Sequence, residues 1–213
     1  MELKVFYCNE LRECCYIVWD ETLECVIIDP GFNSQSEFDR IKKFISEKAL
    51  RPVKILLTHG HFDHVFGLED ASKYWNIPVY FNAEDIPQLE YGVKNAQYFG
   101  LTLKPFTGEA INIKDGDKVT FGSSLFEVIG TPGHTPGGLC FYDRAGAQIF
   151  TGDTLFAGSI GRTDHLGGDL EELLTGISRK LMTLDSDVKV YPGHGMPTDI
   201  GYERVTNPYI GNI

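Results

Sequence analysis

The alternation of apolar and polar positions divides the chain into short strands and a few helices. Three β-rich runs come first, at 4–7, 15–20 and 24–29, and the third ends in the turn signal Asp29-Pro30-Gly31. Over 36–50 the apolar positions Phe38, Ile41, Phe44, Ile45 and Ala49 keep helical spacing, with Ser36 and Asp39 as a capping pair. An apolar run interrupted only by Lys54 predicts a strand at 53–57, which leads straight into Thr58-His59-Gly60-His61-Phe62-Asp63-His64.

The pattern then predicts a helix over 65–75, a strand at 78–81 and a polar, Tyr-bearing helical segment over 84–99. Further strands are predicted at 119–121, 125–129, 138–142 and 148–151, and a last one at 188–191. Between them, 169–182 reads as an amphipathic helix, with Leu170, Leu173, Leu174, Ile177 and Leu181 on one stripe and Asp169 and Glu172 at its cap. Strands arrive both in consecutive runs and in βα units, so the fold class is mixed α/β (α+β). No repeat, low-complexity tract or linker rich in Pro, Gly or Ser divides the chain, and a single domain over 1–213 is expected.

Composition narrows the function. With 213 residues, 42% hydrophobic and 23% charged, the chain is neither disordered, collagenous nor a coiled coil. At this length roughly 70% of the unfolded surface can be buried, enough for an enclosed active site. The 30 acidic residues outnumber the 19 basic ones, and the net charge of −11 makes nucleic acid an unsuitable partner. No apolar run approaches the roughly 18–20 residues of a membrane helix, and the start lacks the basic and apolar regions of a signal peptide. The five cysteines, Cys8, Cys14, Cys15, Cys25 and Cys140, are odd in number and form no CxxC, so they read as small buried thiols and the expected location is the cytoplasm.

The candidate chemistry lies in the histidines. Five of the six, His59, His61, His64, His134 and His194, stand at strand ends beside Gly or Asp. An HxHxDH segment such as His59–His64 arises by chance in this composition on the order of 3 times in 10,000. Imidazole is a neutral donor for borderline metals and carboxylate adds charge. On a turn after a strand, His59 and His61 can reach one metal while Asp63 and His64 reach a second. Two metals need more donors, and the chain has them: His134 in Gly-Thr-Pro-Gly-His-Thr-Pro-Gly-Gly, Asp153 after Thr-Gly, and His194 in Pro-Gly-His-Gly. Each is flanked by glycines that permit close backbone approach.

These residues resemble the metallo-β-lactamase superfamily over nearly the whole chain. The resemblance implies a four-layer αβ/βα sandwich with two divalent metals at one edge, between two sheets. One metal would take His59, His61 and His134, the other Asp63, His64 and His194, with Asp153 between them. Zinc is the first choice of metal, with iron and manganese also suited. True class B β-lactamases with this motif are usually secreted and commonly carry Cys where Asp153 stands. The segments Thr-Gly-Asp-Thr-Leu-Phe-Ala-Gly-Ser-Ile-Gly-Arg-Thr-Asp and Val-Tyr-Pro-Gly-His-Gly instead look like glyoxalase II and its short single-domain relatives, which lack a C-terminal glutathione-binding helical domain.

The implied reaction is hydrolysis of a small-molecule thioester such as S-D-lactoylglutathione by a metal-bridging hydroxide, with Asp63 orienting it. Alternatives within the fold are a mononuclear-iron persulfide dioxygenase, a lactonase and a phosphodiesterase. Arg162 is a candidate contact for a substrate carboxylate, or ties its loop through Asp164. His165 reads as an exposed loop residue, with a substrate contact as the alternative. The segment 84–99, with Tyr91, Tyr98 and Phe99, could serve as a lid.

Overall fold

A computed structural model describes residues 1–98 and 100–210. The first sheet keeps sequence order: β1 (Glu2–Cys8), β2 (Glu13–Trp19), β3 (Glu24–Ile28), β4 (Arg51–Leu56), β5 (Val79–Phe81) and β6 (Ala110–Asn112). Its first three strands pair antiparallel, and β3 to β6 pair in parallel. The helices α1 (Gln35–Glu47), α2 (Phe62–Val65), α3 (Leu68–Trp75) and α4 (Ile86–Tyr98) fall within the connections between these strands.

The second sheet is built from β7 (Lys118–Phe121), β8 (Ser124–Gly130), β9 (Leu139–Asp143) and β10 (Gln148–Gly152). A small hairpin, β11 (Leu155–Phe156) with β12 (Ser159–Ile160), and the helix α5 (Leu170–Gly176) precede its last two strands. These are β13 (Lys189–Pro192) and β14 (Thr198–Asp199), followed by α6 (Ile200–Thr206). The order is β14-β13-β10-β9-β8-β7, with β10 and β13 parallel.

Strand β2 shows why four layers form. All seven of its residues are buried, because alternate side chains enter different cores. Cys15, Ile17 and Trp19 join Phe38, Ile41 and Ile45 of α1 in one cluster. Tyr16 and Val18 meet Phe126, Phe141 and Phe150 of the second sheet in another. On the far side of that sheet, Cys140, Tyr142 and Ile149 pack under Leu173, Ile177 and Leu181. Three apolar interfaces thus separate helices, sheet, sheet and helices, the expected αβ/βα sandwich. All five cysteines are buried and free, as the odd count implied.

Three details differ from the sequence reading. The cap of α1 is Ser34, not Ser36: its hydroxyl accepts from Glu37 N while the Glu37 carboxylate returns to the Ser34 amide. The single helix expected over 65–75 is two. Gly67 N donates to Pro30 O at 2.8 Å and a side chain at Gly67 would collide with the Phe32 ring, so packing breaks the helix there. The short strands β6, β11, β12 and β14 and the helix α6 carry too little periodicity to stand out in the sequence.

Candidate metal centre

The site is assembled where parallel strands end. β3 and β4 release Asp29 and the His59–His64 segment side by side, while β10 and β13 do the same for Asp153 and His194. The sheets are tied at this edge: Cys14 N donates to Gly193 O at 2.8 Å, Tyr16 Oη to Pro192 O at 2.7 Å, and Leu139 N to Thr58 O at 2.8 Å. Gly193 is obligatory, because a side chain there would occupy the space of Asp153 Oδ1 and the His64 ring.

All seven sequence-predicted His and Asp residues converge. His59, His61 and His134 place donor atoms within 4.8 Å of one another, and so do Asp63, His64 and His194. Asp153 lies between the groups: Oδ1 is 3.4 Å from His64 Nε2, while Oδ2 is 3.6 Å from His134 Nε2 and 3.8 Å from His194 Nε2. His64 Nε2 and His194 Nε2 face each other at 3.3 Å, and Asp63 Oδ2 is 3.1 Å from the latter.

The outer nitrogens explain how the rings are aimed. His64 Nδ1 donates to Asp29 Oδ2 at 3.0 Å, His134 Nδ1 to Arg162 O at 2.8 Å, and His194 Nδ1 to Leu11 O at 3.1 Å. Thr58 Oγ1 donates to Asp29 Oδ2 at 2.6 Å, which leaves it as acceptor for His59 Nδ1 at 3.0 Å. In the rings of His59, His134 and His194, Nε2 is then a lone pair turned inward, whereas His64 Nε2 must give up a proton to the neighbouring donors before it offers one. Among the described residues, His59 Nε2, His134 Nε2 and Asp153 Oδ1 are buried without a hydrogen-bond partner. Buried lone pairs that converge without protons between them are the donor set a divalent cation satisfies.

The charge states fit this reading. Burial, reinforced by the neighbouring imidazoles, holds His59 well below the usual histidine range and His61 down to about 3. Burial also lowers His134, with Asp153 in partial opposition. His64 is the exception: burial disfavours its cation, but Asp153, Asp63 and Asp29 outweigh burial and push it well up. Burial opposes ionisation of Asp153 and Asp63, yet the facing imidazoles keep both below the usual carboxylate range.

A pH prediction follows for chelator-treated protein. Between the ordinary histidine value of about 6.5 and the depressed folded values, the unfolded chain binds more protons at His59, His61 and His134. Stability therefore falls as pH drops through that window, while His64 acts in the opposite direction. Thermal denaturation is expected to show a lower Tm at about pH 5 than at about pH 7. An equal or higher Tm at the lower pH would contradict the lowered histidines.

Several contributors carried no chemical signal in the sequence. Asp29 reads there as part of a turn, yet it accepts from Thr58 N at 2.7 Å, from Thr58 Oγ1 and from His64. Glu13 is fully buried 4.0 Å from His64 Nδ1, and burial raises its pKa well above the usual range. His165 is not the exposed outlier expected. Its ring is half-buried and stands edge-on to His61 and His134, with centroids at 4.6 and 4.9 Å. The 161–168 loop is folded inward because Gln88 Nε2 donates to Leu166 O at 2.7 Å. Arg162 pairs with Asp164 through Nε at 2.8 Å and a terminal nitrogen at 3.1 Å. Within 84–99, α4 is docked on α2 and on the loop beyond it, with Gly92 against Phe62 and Leu103; Tyr91 and Tyr98 are exposed, and Phe99 lies outside the described residues.

The model of the metallo-beta-lactamase superfamily matches residues 11–194, which contain all seven converging side chains. The chain belongs to the metallo-beta-lactamase superfamily. It is 38% identical over 191 residues to the probable metallo-hydrolase YqgX of Bacillus subtilis, covering 89% of each chain. It is 34% identical over 214 residues to hydroxyacylglutathione hydrolase GloC of Haemophilus influenzae, covering 100% of this chain and 99% of the relative. The solved structure of TTHA1623 in a di-iron-bound form superposes with a TM-score of 0.87 at 36% identity, over 97% of this chain and 99% of the other. As a superfamily member with this His/Asp cluster, the chain is a metal-dependent hydrolase. No helix among the described residues is long and apolar enough to cross a membrane.

Proposed function

We propose that the chain is a dinuclear thioester hydrolase of the hydroxyacylglutathione hydrolase type. One observation carries the reading: Asp153 stands between the two donor groups, with Oδ1 toward His64 and Oδ2 toward both His134 and His194. In this assignment His59, His61 and His134 would hold the first metal and Asp63, His64 and His194 the second, with Asp153 shared between the two groups. Two divalent metals in such a site acidify a water toward neutral pH and polarise a carbonyl. The di-iron-bound form of TTHA1623 supports two metals, and the full-length similarity to GloC supports a hydroxyacyl thioester.

The chain's own groups complete the chemistry. Asp63 Oδ2 lies on the same side as His194 Nε2 and offers an acceptor that orients the attacking water. A thiolate leaves readily, so little protonation of the leaving group is required. A cavity of about 350 Å³ lined by Asn9, Glu10, Leu11, Phe62, Phe66 and Leu101 is linked to the second donor group through Leu11, whose carbonyl anchors His194. It suits the apolar part of the substrate.

The test is S-D-lactoylglutathione hydrolysis, followed by loss of the thioester, on protein whose metals have been counted. About two metals per chain and chelator-sensitive turnover are expected. Two metals without turnover would move the substrate to another thioester, a lactone or a phosphodiester. A single iron with oxygen uptake on a persulfide would replace hydrolysis by dioxygenation.

A further inference from the structure

The two donor groups are held differently. Asp63 and His64 lie in α2, and His194 follows β13, whose end is bonded to β2 through Cys14 N and Gly193 O. His59 and His61 follow β4 and His134 follows β8; the backbone bond from Leu139 N to Thr58 O ties these loops at one point, and one side chain spans them. Asp85, only 1% exposed, accepts from Gly60 N at 2.8 Å through Oδ2, from Thr135 Oγ1 at 2.8 Å through the same oxygen, and from Gly137 N at 2.7 Å through Oδ1. Gly60 lies between His59 and His61, and Thr135 follows His134. The fit is tight: a side chain added at Gly60 would lie 3.0 Å from Asp85 O, and one added at Gly137 would lie 2.8 Å from the carboxyl carbon.

The base of this post is also fixed. Asp85 N donates to Asn82 O, and Ala83 N to Asn112 Oδ1, which anchors the turn 83–85 to the ends of β5 and β6. One helical turn later, Gln88 holds the 161–168 loop, whose Arg162 carbonyl anchors His134. The turn 85–88 therefore gathers three loops around a single donor group.

We propose that Asp85 is a positioning residue that assembles the His59, His61 and His134 site and leaves the Asp63, His64 and His194 site untouched. This rests on the dinuclear assignment above. Three N–H or O–H donors face one carboxylate, so Asp85→Asn must set its amide against at least one of them. Buried hydrogen-bond partners of metal-binding loops are worth about 10–100-fold in metal affinity. The expected result is therefore a loss of that size at one site only.

Cobalt(II) titration of metal-free protein gives a readout that a general loss of stability would not produce. The spectrum of the three-histidine site and that of the carboxylate-bearing site report separately, with His61→Ala and His194→Ala assigning the bands. Asp85→Asn is expected to weaken the His61-sensitive band about 10–100-fold in affinity, with the His194-sensitive band unchanged. Thr135→Val is expected to act in the same direction, and Thr135→Ser, which keeps the hydroxyl, to restore wild-type affinity. Where Asp85→Asn fails to fold, the two Thr135 variants decide the matter. Equal weakening of both bands, or no weakening of either, overturns the proposal. A wild-type protein that binds one cobalt insensitive to either histidine substitution overturns the dinuclear assignment itself, and the Asp85 proposal with it.

Discussion

Asp153→Ala is expected to release metal and to lower thioester hydrolysis by at least about a hundredfold. The aspartate stands within 3.4–3.8 Å of His64, His134 and His194, so both donor groups lose the same anion. Its Oδ1 is buried without a hydrogen-bond partner among the described residues, so no other contact accounts for its burial. Removing it also removes one of the three carboxylates that favour the His64 cation, with Asp63 and Asp29 remaining. The measurement is metal content per chain beside the rate of thioester loss. Two retained metals in Asp153→Ala would overturn its bridging role whatever the activity.

The second large effect is expected at Asp29. It accepts three hydrogen bonds in a site that is 1% exposed: from Thr58 N, Thr58 Oγ1 and His64 Nδ1. Through Thr58 it aims His59, and directly it aims His64, so one carboxylate orients a ring in each donor group. Asp29→Ala is expected to cost about 3–5 kcal/mol, because it strands buried donors and an imidazole without its countercharge. Part of that cost is conformational, since Asp29 has a φ of 49°, which Asp and Asn tolerate better than Ala. Asp29→Asn separates the two contributions. It is expected to keep the turn, to destabilise less, and to weaken metal binding about 10–100-fold. Denaturant unfolding and metal titration of both variants provide the check. Wild-type metal affinity in Asp29→Asn would show that the carboxylate does not aim the rings.

The local rules succeeded where one element carries its own signal. The spacing of Phe38, Ile41 and Ile45 placed α1, and the run before His59 placed β4, because burial of one face imposes a period that neighbours share. They failed where packing chose between equivalent local options. Ser34 and Ser36 both offer a capping hydroxyl, but only Ser34 has extended backbone and Glu37 within reach. Nothing local in 65–75 announces that Gly67 must press on Phe32 and bond to Pro30.

The same division runs through the site. The sequence by itself determined which side chains meet at this edge of the fold. Imidazoles and carboxylates at strand ends beside glycines have few other uses, and His59, His61, Asp63, His64, His134, Asp153 and His194 could be named from spacing, composition and family resemblance. Only the tertiary structure decided what aims them. Asp29 and Glu13 are ordinary residues until folding brings them to the His64 ring, 35 and 51 positions away, and Asp85 until it meets the Thr135 hydroxyl, 50 positions away. The physical reason is that a metal donor is defined by its own atoms, whereas the groups that orient it are defined by a hydrogen bond across the fold. His165 shows the converse, because its loop is pulled inward by Gln88, a contact that no local pattern encodes.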